Sequence, residues 1–332
     1  MFNFESPKPQ DPKKPENDFE KKKLLFKNIE KIAKNALIWG MISTGGAYIG
    51  KGALEQLDYA NHKETMKKEN SAEYKKLEKE IVSEVGEGSL KEIESGDAFA
   101  FFEKSEERKN PTVRNFEKIS LDSKTMKKVW SEEGSYPKNW INGAVETISY
   151  NHEVSNIGKE YGNSLEGSES DAQTDRHGHE IKIKANEDEL KYLTKPEIAK
   201  SLDFKLGHEL GHNNDWHTSR NLNLIERMEL LAKVVKRMHS AKPFRSFFSS
   251  ISNEKDYYQK IKPNNNGANQ TLQAEEYWAQ LCQYYFGAPE WMKDEFPEDY
   301  ALVAEYVKKS DSAFNPQEAA NKRNHIIDEK YK

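Results

Sequence analysis

The chain has 332 residues, of which 35% are hydrophobic and 32% charged, and its formal net charge is −5. That length accommodates one domain of ordinary size with additional segments, and the acidic balance argues against a dedicated nucleic-acid binder, which needs clustered Lys and Arg. The single cysteine, Cys282, excludes an intramolecular disulfide and a Cys-x-x-Cys metal site. Any metal ion would therefore need His, Asp and Glu ligands.

The N-terminal part of the chain contains a candidate membrane anchor. Residues 1–19 are rich in Pro and Lys without periodicity, which indicates a disordered tail. Residues 35–50 form the only long uncharged run, although it is shorter than the roughly 20 residues of a comfortable membrane span. Its Lys-rich upstream flank, with Trp39 and Tyr48 near its ends, favours an anchor with the N-terminus inside and the rest of the chain outside the cytoplasm. The alternative is a buried or partner-binding helix of a soluble protein.

The composition divides the rest of the chain into three segments. Residues 20–95 form a predicted helical region, in which Leu77 and Ile81 keep helical spacing; it is either a stalk or a helix packed on the next domain. Aromatic residues become frequent from about residue 97. We therefore predict a globular domain over residues 97–312 and a charged tail over 313–332.

One strand is predicted inside that domain. The Gly-, Ser- and Asp-rich stretch 157–178 is typical of a long loop. After it, Ile181 and Ile183 alternate with charged residues, which predicts an edge strand with one solvated face. His177 and His179 beside the strand are either exposed loop histidines or contacts for a substrate or an accessory metal ion.

The strongest helix signal in the sequence precedes a histidine pair. Thr194 is a suitable N-cap, Pro196 suits the first turn, and Glu197 stands three residues after the cap, as in a capping box. An apolar face at helical spacing then leads into His208-Glu209-Leu210-Gly211-His212. We predict a single helix from this cap to the second histidine.

The spacing of that pair predicts a zinc site. His208 and His212 are four residues apart, so their imidazoles project from one face of the helix and can reach the same Zn²⁺. Glu209 is rotated roughly 100° from His208, close to the metal ion without ligating it. There it can accept a proton from a water molecule activated by zinc. The alternative is a pair of exposed histidines on a surface helix.

A catalytic zinc ion needs a third protein ligand, and three residues are candidates. His217 follows the pair by five residues rather than the six of the HExxHxxGxxH pattern. Asp215 is better suited to cap or orient the site. Glu276 stands in an aromatic-rich amphipathic helix over residues 273–286, where a buried carboxylate needs a partner. We select Glu276, with Glu275 as the neighbouring alternative.

Two blocks of the chain, HELGHNND and EEYWAQLCQYYFGAP, resemble the catalytic domain of anthrax-lethal-factor-like metallopeptidases, a family that includes the Pro-Pro endopeptidases. The likeness covers roughly residues 175–310. It implies an α+β, mostly helical chain with a zincin-like domain of the gluzincin type, which has a small mixed sheet and an HExxH active-site helix and is preceded by N-terminal helices. It also implies that His208, His212 and Glu276 bind zinc, that Glu209 is the catalytic base, and that a helix begins near Pro297.

The chain departs from the family pattern at two positions. Gln280 stands where family members often have an acidic residue that supports the zinc ion. Asn269 stands where the family has a tyrosine that stabilises the oxyanion. Asn can donate such a hydrogen bond, and Tyr257 or Tyr258 is the alternative donor.

These patterns predict a zinc metalloendopeptidase acting on a peptide or protein. The substrate is expected to lie extended along the strand near Ile181 and Ile183. The competing hypothesis is a catalytically weak or inactive zincin-like binding protein anchored by its N-terminal helices, since Asn269 and Gln280 depart from the catalytic pattern.

Overall fold

The computed structural model describes residues 47–103, 110–142, 144–151, 172–174, 180–219, 221–240 and 268–332; of residues 47–55, 99–103, 173, 268–270 and 272 it describes the backbone only. The predicted tail and most of the candidate membrane anchor lie outside these ranges. Within the described part of the chain, no helix is both long enough and apolar enough to cross a bilayer.

The protein is mostly helical with one small sheet. The helices are α1 (Ala47–Glu69), α2 (Ser71–Val85), α3 (Glu87–Glu103), α4 (Ser123–Ser131), α5 (Glu187–Tyr192), α6 (Lys195–His212), α7 (Leu224–Ser240), α8 (Ala268–Gly287), α9 (Pro289–Glu295), α10 (Pro297–Ser310) and α11 (Pro316–Tyr331), and a short 3₁₀ helix covers Phe116–Ile119. The strands are β1 (Thr112–Arg114), β2 (Thr147–Tyr150), β3 (Ala172–Thr174) and β4 (Glu180–Ile183). This architecture confirms the predicted α+β class with a mixed sheet.

The sheet has the order β1-β2-β4-β3. Strand β4 pairs with β2 in parallel and with β3 in antiparallel orientation. The predicted alternation is confirmed, because Ile181 and Ile183 are buried while their neighbours are only partly so. The prediction of an edge strand is wrong, since β3 covers the outer side of β4. Strand β3 itself lies within 157–178, a stretch predicted to be loop throughout.

The chain divides by internal contacts into Met1–His62 and Lys63–Lys332. The larger of these units begins before residue 97, where the sequence places the start of the globular domain. Helix α2 belongs to the larger unit, where it packs against α7, α8 and α3. Its apolar positions Leu77 and Ile81 are buried, as a helix packed on the domain requires.

The C-terminal residues 313–332 are not a tail. Helix α11 begins after Asn315, whose side chain accepts hydrogen bonds from two backbone N–H groups of the first turn, and it packs on α4, α6 and α8. It buries Ala319, Arg323 and Ile327, residues spaced along one helical face. The charged surface residues between them account for the tail-like composition that misled the prediction.

Helices α6 and α8 make the most extensive helix–helix contact of the described structure. The prediction that Thr194 caps the start of α6 is confirmed, and the Glu197 carboxylate accepts a hydrogen bond from the Thr194 backbone N–H at 2.7 Å. Along the interface Gly207 faces Gln283 and Gly211 faces Ala279. The two helices therefore run antiparallel. The last turns of α6 and the middle of α8 carry the candidate site.

Candidate metal centre

His208 and His212 lie one turn apart at the C-terminal end of α6, with about one-fifth of each side chain exposed (20% and 19%). Their Nε2 atoms approach to 3.1 Å, and the rings meet edge to face. The two imidazoles thus converge on one point, as their spacing predicts.

Glu276 of α8 completes the cluster. Its Oε2 lies 3.4 Å from His208 Nε2 and its Oε1 lies 3.5 Å from His212 Nε2. The ligand atoms of the three residues lie within 4.8 Å of one another, and among the described residues no other group of three or more His, Cys, Asp or Glu does so. We call these three residues the metal centre.

The spacing of the metal centre fits a zinc ion. Ligands held tetrahedrally at about 2.0–2.1 Å lie about 3.3–3.4 Å from one another. The two Nε2 atoms here are 3.1 Å apart, and they lie 3.4 and 3.5 Å from different oxygens of the Glu276 carboxylate, close to that value. Two imidazoles and one carboxylate also form a donor set found in catalytic zinc sites.

Two glycines of α6 bring the carboxylate within reach. A Cβ atom at Gly211 would lie 2.5 Å from the Ala279 Cα, and one at Gly207 would lie 3.3 Å from the Gln283 Cα. Because neither glycine has a side chain, α8 approaches α6 closely in these two turns. Trp278 Nε1 of α8 donates a hydrogen bond of 3.1 Å to the Gly211 carbonyl of α6, which joins the two helices directly.

Glu209 lies beside the metal centre and is 4% exposed. Burial raises the pKa of its carboxyl group, and the charge of Glu276 acts in the same direction, whereas His212 and His208 lower it. A raised pKa brings a carboxylate closer to the range in which a general base works at neutral pH.

The turn after α6 is organised by Asp215. Helix α6 ends at His212, so Asp215 lies beyond the helix. The Oδ1 atom of Asp215 accepts hydrogen bonds from the backbone N–H groups of His217 (2.7 Å) and Thr218 (3.0 Å). His217 is not part of the metal centre, and its Nε2 lies 2.8 Å from Glu275 Oε1. His217 and Glu275, two of the three alternative ligands considered from the sequence, therefore contact each other.

Of the remaining predicted site residues, only Gln280 has a described side chain. Gln280 is buried, with 8% exposed. Asn269 lies in α8, but its side chain is outside the described residues, as are Tyr257 and Tyr258. His177 and His179 are outside them as well.

Sequence reasoning missed a buried charged pair that holds α6 in place. Asp203 accepts a hydrogen bond of 2.9 Å from Arg323 Nε of α11. The signal was present in the sequence, because the residues of α11 that are buried, including Arg323, repeat at intervals of three and four. That spacing predicts a packed helix rather than a tail.

Comparisons with known proteins give no match. Searches with family models, curated proteins and solved structures each found nothing similar to this chain. The functional conclusion therefore depends on the geometry of the site.

Proposed function

We propose that the chain is a zinc-dependent metallopeptidase of zincin-like fold, with His208, His212 and Glu276 as the ligands of a catalytic zinc ion. The observation that supports this most strongly is the convergence of two imidazole nitrogens from α6 and the Glu276 carboxylate from α8, with closest separations of 3.1, 3.4 and 3.5 Å. A pair of exposed histidines on a surface helix would not need a carboxylate from a second helix beside it.

A zinc ion held there would lower the pKa of a nearby water molecule and polarise the carbonyl group of a substrate. Glu209 accepts the proton of the attacking water and returns it to the nitrogen of the leaving amine. Its burial suits this role, because the carboxyl group is shielded from bulk solvent and its pKa is raised. The C–N bond breaks as that nitrogen is protonated.

The sheet offers a place for an extended peptide. Strand β4 is paired on both sides, whereas β3 is an outer strand within the described sheet and packs against α6. A peptide strand would add to β3 rather than to β4, with backbone hydrogen bonds that do not depend on its sequence. This changes the expected docking strand but keeps the substrate class, a peptide or protein.

The direct test is digestion of a peptide pool, read by mass spectrometry, with wild-type protein and a Glu209→Gln variant, both assayed for bound zinc. We expect cleavage by wild type, and a loss of about 10²–10⁴-fold in the variant with zinc retained, because general-base catalysis contributes about that much. Glu290→Gln, at an exposed position of α9, is the matched control.

Two results would count against the proposal. Undiminished cleavage by the Glu209→Gln variant would remove the mechanism. Stoichiometric zinc without cleavage of any peptide would favour the competing hypothesis of a zinc-containing binding protein.

A further inference from the structure

A second charged cluster lies next to the metal centre, between the turn after α6 and helices α8 and α3. His217 Nε2 lies 2.8 Å from Glu275 Oε1 and 4.0 Å from Glu92 Oε2. The His217 and Glu275 side chains are 19% and 22% exposed, so the pair is largely screened from water. The contact between His217 Nε2 and Glu275 Oε1 is an ion pair at hydrogen-bonding distance.

The charge on His217 persists at neutral pH. Burial alone would lower its pKa, but the contact with Glu275 and the negative charges of Asp215, Glu275 and Glu92 raise the pKa to about 9. An imidazolium group therefore faces the Glu275 carboxylate. Attraction between opposite charges at this distance is substantial where water is largely excluded.

The backbone of His217 is fixed from several directions. Its N–H donates to Asp215 Oδ1 at 2.7 Å, and the neighbouring Thr218 hydroxyl donates to the His212 carbonyl at 2.6 Å. On the other side α3 packs so closely that a Cβ atom at Gly96 would lie 2.0 Å from the His217 carbonyl oxygen. The fully buried Arg227 donates to the Trp216 carbonyl at 2.7 Å.

The partner of His217 is adjacent in sequence to a metal ligand. Successive residues of a helix point about 100° apart. When one of them is held in a fixed direction, the rotation of the helix about its axis is fixed, and so is the direction of the next residue. Glu275 is held by His217, whose backbone is fixed, and Glu276 is the next residue of the helix.

We propose that His217 is a positioning residue of the metal centre: its ion pair with Glu275 sets the rotation of α8, which directs Glu276 toward His208 and His212. This inference rests on the proposed zinc site. It gives a role to a histidine that does not itself reach the ligand atoms.

The simplest alternative makes the opposite prediction. If His217 were only a nearby positive charge, it would repel Zn²⁺, and a His217→Gln variant would bind zinc more tightly. If His217 positions Glu276, the same variant binds zinc more weakly. The sign of the change in affinity therefore separates the two explanations.

The experiment is a zinc titration against a competing chelator, combined with visible spectra of the Co²⁺-substituted protein, which report coordination geometry. We expect His217→Gln to weaken zinc binding about 10–100-fold, as loss of groups that orient ligands typically does, and to alter the Co²⁺ spectrum. His217→Lys keeps the positive charge and is expected to retain most of the affinity. His239→Gln removes a more exposed His–Glu pair, with Glu84, and serves as the matched control.

Zinc binding by His217→Gln that is as tight as in wild type, or tighter, would overturn the inference. Equal losses in the Gln and Lys variants would also overturn it, because charge would then not be the cause. Thermal unfolding of the metal-free variants shows whether a substitution has disrupted the fold as a whole. If His217→Gln has done so, the zinc affinity of His217→Lys is the deciding measurement: retained affinity supports the inference and lost affinity contradicts it. Failure of the wild type to bind zinc would instead remove the proposed function.

Discussion

Helix α6 carries two polar clusters of opposite character. In one, the Asp203 carboxylate, 7% exposed, accepts hydrogen bonds from Trp130 Nε1 (3.1 Å), the Tyr136 hydroxyl (2.9 Å) and Arg323 Nε (2.9 Å). In the other, the metal centre, two imidazole nitrogens and a carboxylate converge on one another. The first cluster matches one acceptor with three donors, whereas the second gathers three groups that are all able to ligate a cation.

This difference distinguishes a structural cluster from a ligand site. The Asp203 cluster joins α6 to α4, to α11 and to the segment between α4 and β2 that contains Tyr136. It stabilises the fold without a bound ion. The metal centre would become complementary if a cation were bound among the three groups, as the proposed function requires. We therefore expect substitutions in the first cluster to affect unfolding of the metal-free protein, and those in the second to affect metal binding.

The largest expected effect is at Arg323. Replacing it by Ala leaves the buried Asp203 carboxylate without its cationic partner, which typically costs about 3–5 kcal/mol. Chemical denaturation of the metal-free protein measures this change. His325→Ala, on the same helix but 70% exposed, is the control and should change the free energy of unfolding by less than about 0.5 kcal/mol. A loss below about 1 kcal/mol at Arg323 would refute the structural role of the cluster.

An intermediate effect is expected at the helix interface. A methyl group at residue 211 would meet the Ala279 backbone, so Gly211→Ala forces α8 away from α6. Overpacking of this kind costs about 1–3 kcal/mol, and zinc binding should weaken as Glu276 moves away. Gly88→Ala, where a Cβ atom meets nothing within 4 Å, is the control and should be neutral or stabilising. Unchanged zinc affinity in Gly211→Ala would mean that close approach of the helices does not set the site.

The interface between α6 and α8 also shows which features could be predicted from the sequence alone and which could not. The HELGH spacing, the helix cap at Thr194 and the aromatic helix around Glu276 are local patterns, so helices α6 and α8 and the carboxylate selected as the third ligand could be predicted. The role of Gly211 could not, because it depends on which backbone lies opposite.

The features that the sequence analysis missed have a common physical origin. Strand β3 is three residues long within a polar stretch, and it is stabilised by pairing with β4 rather than by its own composition. Helix α11 has a charged surface, and the structural role of Arg323 depends on Asp203, which is 120 residues away in the sequence. The contact of His217 with Glu275 likewise joins residues that sequence spacing does not relate. Long-range partners decided each of these cases.

The smallest expected effect is a pH dependence due to His217. Its pKa is raised from 6.5 to about 9 in the folded protein. The stabilisation it provides is therefore fully present below pH 6.5 and is lost as the pH rises through about 9. In metal-free protein, the difference in unfolding free energy between wild type and His217→Gln should shrink between pH 6 and pH 9.5, by about 1 kcal/mol after allowance for solvent screening. A difference independent of pH would show that His217 is not charged in the folded state.

The most direct test of the account is zinc stoichiometry and affinity, measured by elemental analysis and chelator competition on wild type and on Glu276→Gln and His212→Ala variants. We predict one zinc ion per chain in wild type and a large loss of affinity in both variants, while the metal-free variants unfold as wild type does. Wild-type protein without zinc, or a Glu276→Gln variant that binds it as tightly as wild type, would contradict the claim that these three residues form one metal centre.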